Sequence, residues 1–320
     1  MGSSNQGEPT VLVVGSTMTD MIAYARALPN AGETVIGESF ALGFGGKGAN
    51  QAVMCALLGA SVSFVGSLGR DVFGEMTLEN LESFGIETSR VVLTDAAASG
   101  AAPIWVDASG ENRIIVVPGA NDLLEPAVVE AAVRETDADV VLCQLEVPEA
   151  CVKSALQTTR DRGGIAVLNP APMTEISVDT LGLCSWLIPN RSELQTIARR
   201  LEITAEGPHE GVALRIGARL ATDMVVTLGG DGALIYGHQD GSVVSVSAPP
   251  ADPIDTTGAG DAFVGAFAYA IARRMSPRDA AAFGCACASA SVEARGTQTS
   301  FPRGDRLAAI KKNLSVPIEW

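Results

Sequence analysis

Short apolar runs that alternate with helical periods do most to limit what this chain can fold into. Strand-length runs at 139–144, Ile165–Leu168, 185–188 and 224–228 are interleaved with helical segments at Pro126–Glu135, 149–162, 192–201 and 210–220. The runs are apolar at nearly every position rather than every second one, so both of their faces must be covered. Such alternation predicts a parallel sheet with helices on both sides. The chain has 320 residues, 47% of them hydrophobic, which suffices for one large α/β domain or one with a small appendage.

The first half departs from this pattern. Residues 10–15 (TVLVVG) predict a first strand, closely followed by Asp20. Residues 31–44 alternate loosely and carry three glycines, which fits ribbon rather than helix. Residues 45–48 open a helix over 49–58 that stops at Gly59. A short strand at 62–65 follows, then a helix over 72–84, capped by Asp71 and closed at Gly85. Residues 99–106 and 113–117 predict a hairpin around 107–112, with Ser109-Gly110 at its turn. The segments near 17–44 and 98–118 can pair in space as one small sheet. Such a sheet must cover a site or pair with a copy of itself. Pro103 cannot donate to a ladder, which predicts an edge position or a bulge there. Residues 1–9 read as a disordered leader, 10–313 as one domain and 314–320 as a tail.

Composition removes several function classes. Formal charge is −15, with no basic run, which argues against a nucleic-acid partner. The same field repels anions, so any phosphate site must be built locally. No apolar run is long enough to span a bilayer. The six cysteines (Cys55, Cys143, Cys151, Cys184, Cys285 and Cys287) form no C-x-x-C pair and sit in apolar surroundings. They read as small buried hydrophobes in a reducing cytoplasm. The two histidines, His209 and His238, lie in polar loops, against a Ser-His-Asp hydrolase or a His-ligated zinc.

The segment 255–261 (DTTGAGD) carries the strongest chemical signal. Gly258, Ala259 and Gly260 leave backbone N–H groups unobstructed at the start of a long helix, a setting that favours a phosphate or a developing anion. Asp261 places a carboxylate beside that hole, able to take a proton from a hydroxyl that attacks a γ-phosphate. A lone aspartate there would be an ordinary helix-start residue; the glycines before it and Asp255-Thr256-Thr257 shift the reading to catalysis. In 43–50 (GFGGKGAN) the glycine pattern is neither a dinucleotide fingerprint nor a Walker A loop, because Gly48 follows Lys47. Gly45 and Gly46 let backbone approach a polyol, and Asn50 offers a donor and an acceptor; a plain glycine turn is the alternative. Asn190 and Glu193 sit after a strand and can hold a hydrated Mg²⁺, or Asn190 can simply cap the next helix. Thr227 with Gly229, Gly230, Asp231 and Gly232 can lie against a nucleotide or form a tight hairpin. Glu146 ends another strand, where ligand sites of open α/β sheets gather.

Together these residues resemble the ribokinase-like (PfkB) family of carbohydrate kinases. GSTMTD (15–20), GGKGAN (45–50), SLGRDVFG (67–74), GAN (119–121), QLE (144–146), NPAP (169–172), PNRSE (189–193), TLGGDG (227–232), DTTGAGD and GTQTSFP (296–302) occur in order. The resemblance spans residues 10–312. It implies a three-layer, Rossmann-like α/β fold, with a mostly parallel sheet and a small β-sheet lid through which a homodimer can form. It implies ATP-dependent phosphorylation of the 5-hydroxyl of D-ribose, or of a related substrate such as deoxyribose, adenosine or pseudouridine. A non-catalytic sugar-binding protein is the reading from a different class. By position, Asp20, Gly45, Gly46, Lys47, Asn50, Glu146 and Asp261 would meet the sugar, with Ala102 and Ile104 closing over it. Asn190, Thr227, Gly229–Gly232, Gly260 and Gly284 would meet ATP, and Asn190 and Glu193 would organise Mg²⁺. Asp255, Thr257, Ser291, Ala294, Gly296 and Ser300 match a K⁺ loop. Bacterial members often carry Asn where this chain has Met18, which removes one potential hydrogen bond to the sugar.

Overall fold

A computed structural model describes residues 7–173 and 176–312. The expected tail, and residues 1–6 of the expected leader, lie outside the described residues. Pro9 already belongs to the body, since its carbonyl accepts the Ser61 amide at 2.9 Å.

The chain enters through β1 (Thr10–Val14). It leaves the main body as β2 (Met18–Tyr24) and β3 (Ser39–Gly45), an antiparallel pair. It returns through α1 (Lys47–Leu57), β4 (Ser61–Gly69), α2 (Val72–Ser83) and β5 (Val91–Thr94). A second excursion forms β6 (Ala101–Val106) and β7 (Asn112–Ile114). Regular alternation then begins with α3 (Pro126–Glu135), β8 (Val140–Cys143), α4 (Glu149–Asp161) and β9 (Ile165–Leu168). It continues through α5 (Val178–Leu181), β10 (Trp186–Leu187), α6 (Arg191–Arg200), α7 (His209–Leu220) and β11 (Asp223–Thr227). The antiparallel strands β12 (Ala233–Tyr236) and β13 (Val243–Val246) finish one edge. Helices α8 (Ala259–Ala272), α9 (Pro277–Ser291) and α10 (Gly304–Lys312) follow.

The main sheet has nine strands in the order β13-β12-β11-β10-β9-β8-β1-β4-β5. Its central parallel strands, β8, β9 and β1 beyond Thr10, are apolar at every position because alternate side chains enter two different cores. Val11 and Val13 point into the core under α1, α8 and α9, while Leu12 and Val14 point into that under α3, α4, α6 and α7. α8 is buried at every position from Asp261 to Ala272, the mark of a helix packed all round. Trp186 meets its Phe267 edge-on at 5.3 Å. Among the described residues no helix is long and apolar enough to cross a membrane.

The four-stranded small sheet runs β3-β2-β6-β7. β2 pairs with β6 in parallel, setting Asp20 beside Ala102 and Ile22 beside Ile104. The ribbon expected over 31–44 is a strand only from Ser39, and its partner, β2, begins at Met18. The expectation for Pro103 needs correction, since β6 is an inner strand with no edge there. The ladder is interrupted instead. The Ile115 amide donates to the Pro103 carbonyl at 3.1 Å, but proline has no N–H to return the bond, and β7 stops at Ile114.

Candidate active site

The carboxyl ends of the parallel strands collect the polar residues. Ser16 follows β1, Gln144 and Glu146 follow β8, Asn169 follows β9, Asn190 follows β10, and Thr227 ends β11. This edge is where open α/β sheets bind ligands. α8 brings its N-terminus to the same edge. Gly258 caps that helix at φ 76°, a left-handed conformation that suits glycine, and a Cβ there would meet Thr297 Cγ2 at 2.5 Å. The amides at such an end lack partners one turn back.

Asp261, 7% exposed, joins Lys47, Glu193, Gly258 and Gly260 in lining a cleft at this point. Its carboxylate meets the start of α1. Asn50 Nδ2 donates to Asp261 Oδ2 and Gln51 Nε2 to Oδ1, both at 2.9 Å. The glycine-rich turn and the carboxylate, 211 residues apart, are therefore one unit. Lys47 heads the same helix. The negative charge of Asp261 raises its ammonium above the ordinary value, burial opposes this, and Glu146 and Glu193 add to it. Glu146 Oε2 accepts from Ser16 Oγ at 2.5 Å and from the Lys47 amide at 2.8 Å, which ties β1, α1 and β8 together.

The small sheet contributes Asp20, flanked by Gly43 on β3 and Ala102 on β6. A Cβ on Gly45 would lie 2.6 Å from both carboxylate oxygens of Asp20, so glycine is what lets that carboxylate rest against β3. Burial, with the nearby charges of Glu146 and Asp261, pushes the Asp20 carboxyl up to about 6.

On the nucleotide-facing side expected from sequence, Asn190 and Glu193 form a capping box. Asn190 Oδ1 accepts the Glu193 amide at 2.9 Å and Glu193 Oε2 accepts the Asn190 amide at 2.8 Å. Helix capping is thus realised, and Glu193 also lines the cleft. Burial raises its carboxyl above the ordinary range. Thr227 lies beside Asn190 across a parallel bridge. The turn Gly229–Asp231 joins antiparallel β11 and β12, so the tight hairpin is realised too. Gly229 and Gly230 face open space, Asp231 pairs with Arg191, and Gly232 at φ 98° approaches the Val246 carbonyl too closely to carry a side chain.

Asp255 ties two loops together, accepting the Thr257 amide on Oδ1 and the Gly296 amide on Oδ2, each at 2.9 Å. The Ser291 and Ser300 hydroxyls donate to the carbonyls of Ala288 and Thr297, and the Ala294 amide reaches the Ser291 carbonyl at 3.4 Å. Gly284 stands apart from the cleft lining. It lies inside α9, where a Cβ would meet the Phe263 ring at 2.8 Å.

Several polar residues at the site carried no assigned role in the sequence: Ser16, Gln51, Gln144, Asn169 and Gln298. Four of them lie inside segments that resemble the family, and Gln51 directly follows another. Their signal is an uncharged amide or hydroxyl at the end of an apolar run, which alone names no partner. All six cysteines are buried and free. Burial pushes Cys55 and Cys184 up to about 12 and Cys151 and Cys285 up to about 11, far from nucleophilic thiols. His238 bonds to Asp223 at 2.8 Å, at the opposite end of β11.

Comparison with known proteins shows the family and the fold. A family model described as "pfkB family carbohydrate kinase" matches residues 8–303. A ribokinase of Mus musculus is 37% identical over 298 residues, 91% of each chain. A deoxyribokinase of Salmonella typhi is 34% identical over 294 residues, 91% of this chain and 95% of that one. The solved ribokinase of Arabidopsis thaliana, complexed with ribose and ATP, superposes with a TM-score of 0.85 at 29% identity, covering 97% of this chain and 99% of that one. With its nine-stranded sheet, its glycine-capped α8 and a family match along nearly its whole length, this chain belongs to the pfkB family of carbohydrate kinases.

Proposed function

We propose that this protein transfers the γ-phosphoryl group of ATP to the 5-hydroxyl of D-ribose, giving ribose 5-phosphate and ADP. The observation that carries the reading is Asp261, a buried carboxylate held by two amides beside the glycine-lined start of α8. The hydroxyl proton passes to Asp261 as the sugar oxygen attacks phosphorus. The new O–P bond forms while the bond to the β–γ bridging oxygen breaks, and ADP departs. Charge developing on the transferred group meets the amides of Gly258, Ala259 and Gly260, together with the Lys47 ammonium. Asp20, Gly45, Gly46, Asn50 and Glu146 hold the sugar hydroxyls, and Ala102 and Ile104 close over them as part of the lid. Asn190, Thr227, Gly229–Gly232 and Gly260 receive the nucleotide, with Gly284 as support behind Phe263.

The donor set fits two cations. Among the described residues no three His, Cys, Asp or Glu side chains cluster as a metal cage. Glu193, with Asn190 behind it, suits a Mg²⁺ held mostly by water and phosphate oxygens. Bound Mg²⁺ would neutralise phosphate charge. The Asp255 loop, with Thr257, Ser291, Ala294, Gly296 and Ser300, offers only oxygens, as K⁺ prefers. Bound K⁺ would order the 255–260 segment. Exposed apolar residues on the small sheet and beside it, among them Phe40, Leu42 and Ile115, support pairing of two lids in a homodimer. The buried unpaired cysteines fit a cytoplasmic protein.

A second reading, 2-deoxyribose as acceptor, is favoured by Met18, which offers a buried thioether where a hydrogen-bonding group could meet the sugar, and by the deoxyribokinase relative. The test is kcat/KM for ribose, 2-deoxyribose, adenosine and pseudouridine with Mg-ATP, in K⁺ and in Na⁺. Ribose should lead and K⁺ should raise the rate more than Na⁺. ADP release stimulated by nucleosides but not by pentoses would overturn the assignment.

A further inference from the structure

Two chains of primary amides end on the Asp261 carboxylate. In one, Gln144 Nε2 donates to Gln51 Oε1 at 2.7 Å, and Gln51 Nε2 donates to Asp261 Oδ1 at 2.9 Å and to Asn169 Oδ1 at 3.1 Å. In the other, Asn80 Nδ2 donates to Gln298 Oε1 at 2.9 Å, Gln298 Nε2 to Asn50 Oδ1 at 3.1 Å, and Asn50 Nδ2 to Asp261 Oδ2 at 2.9 Å. Gln51 and Gln144 are fully buried, and Gln298 is 4% exposed.

The direction of both chains is fixed from the carboxylate end. An ionised carboxylate only accepts, so the two amides that touch it must present NH₂. Each then offers its carbonyl backwards, and the amide behind must present NH₂ in turn. The consequence shows at the far end of the first chain. Gln144 Oε1 is buried and without a partner among the described residues, pressed so close to Gly15 that a Cβ there would lie 2.1 Å away. Buried polar atoms are seldom left unpaired, and an apolar side chain at the end of β8 would move the loss onto the Gln51 carbonyl. What Gln144 achieves is to lock Gln51, and through it one oxygen of Asp261.

We propose that Gln51, backed by Gln144, and Gln298, acting through Asn50, are positioning residues for Asp261. They fix the rotation of its carboxylate so that the lone pair facing the cleft meets the incoming hydroxyl. Aligned amides polarise one another, so each chain acts as a unit rather than as separate bonds. The proposal rests on reading Asp261 as the base, and none of the three side chains needs to touch the reacting atoms.

The test uses the full-length protein, with single-turnover phosphoryl transfer to ribose measured beside ribose affinity and Tm. Gln51→Met keeps length and removes the donor; the transfer rate should fall by about 10–100-fold, with ribose affinity within about 3-fold, as expected for a misaimed group. Gln51→Glu keeps shape but opposes Asp261 with an acceptor, and should be slower still. Gln144→Met should slow transfer by a smaller factor, about 3–10-fold, while Tm changes little, because the unpaired Gln144 carbonyl is removed but the Gln51 carbonyl loses its donor. A purely structural role predicts the reverse, with Tm lost and the rate per folded molecule unchanged. Wild-type transfer in Gln51→Met would overturn the proposal, as would a Gln144→Met variant that loses Tm alone. If Gln51→Met does not fold, Gln144→Met and Gln298→Met decide by the same criteria. Asp261→Asn, measured alongside, separates the layers: if it stays active the base assignment fails, whereas an inactive Asp261→Asn beside a normal Gln51→Met removes only the positioning role.

Discussion

At the base of the cleft Asp261 accepts an amide N–H on each carboxylate oxygen, whereas Asp20, on the small sheet, accepts none from the described residues. Both are partly or fully withdrawn from water. Asp261 is supplied by α1, an element anchored in the main core. Asp20 rests against glycine, and burial pushes its carboxyl up to about 6. The main domain thus arrives with its chemistry already oriented, while the small sheet arrives with an acceptor whose partners are missing. Under the proposed function, a sugar bearing several hydroxyls would supply those missing donors. Rigid scaffolds that finish one half of a site and leave the other to the ligand gain selectivity from the half left open.

The largest expected effect tests the finished half. Asp261→Asn keeps the shape and removes the proton acceptor. The rate of phosphoryl transfer should fall by about 10²–10⁴-fold, the span of general-base contributions, with ribose affinity nearly unchanged. Rapid-quench transfer measured beside equilibrium sugar binding checks both. Lost binding with unaltered transfer would reverse the roles assigned to the two carboxylates.

This contrast was unevenly legible in the sequence. The main sheet announced itself, because strands such as Ile165–Leu168 are apolar on both faces and sit between clear helical periods. Asp261 and its glycines stood out because three small residues before a carboxylate at a helix start serve few purposes besides anion binding. The small sheet was harder. Thr19 and Asp20 make β2 look like a polar connection, and its parallel partner β6 lies about 80 residues away. The two excursions point to a shared sheet, as found, but the parallel register between them leaves no local trace. Gln51 and Gln298 were invisible as functional groups, since an amide gains meaning only from the atom it faces. Pro103 misleads because a missing donor reads as a property of the whole strand, when it interrupts only one bond.

The next effect belongs to the open half and carries a pH signature. The Asp20 carboxyl rises from its ordinary 3.8 to about 6, so folding favours its neutral form. The stability it contributes is fully present below 3.8 and is lost as pH rises through about 6. Asp20→Asn should therefore match wild type in acid and gain a Tm advantage that is complete above about pH 6. Two pH units correspond to about 3 kcal/mol at most, and partial exposure reduces this to about 1–2 kcal/mol. Sugar affinity should move the other way. The variant loses a charged acceptor and should bind ribose about 10–100-fold more weakly. In wild type the ribose KM should fall as pH climbs through the same window. A flat KM between pH 5 and 8 would mean that Asp20 does not hold the sugar.

Two glycines sharpen the comparison with smaller effects of opposite sign. Gly45 is glycine for the protein's sake, since a Cβ would strike Asp20. Gly260 is free on that count, because a Cβ there meets nothing within 4 Å. Gly45→Ala should cost about 1–3 kcal/mol by overpacking and weaken ribose binding as Asp20 is displaced. Gly260→Ala should stabilise the first turn of α8 by about 0.5–1 kcal/mol. It should nonetheless slow transfer, because the added methyl stands where the phosphoryl group must approach the amides. Thermal melts and single turnovers on both variants decide it. A fully active Gly260→Ala would place the phosphoryl group elsewhere.

The smallest effect concerns the stiffness of the small sheet. Pro103 leaves one bond of the Pro103–Ile115 pair unmade. Pro103→Ala restores a donor worth about 1 kcal/mol, but it also frees the unfolded chain, which costs about 0.4–1 kcal/mol. Global stability should therefore change by less than about 1 kcal/mol. The local consequence is separable by amide hydrogen exchange. Protection should increase along β6 and β7 and stay constant in β1, β8 and β9, because only the small sheet gains a bond. If the sheet must flex to admit the sugar, the stiffer variant should bind ribose more slowly with an unchanged transfer rate. Increased protection without slower binding would show that admission of the sugar does not depend on bending at this point of the ladder.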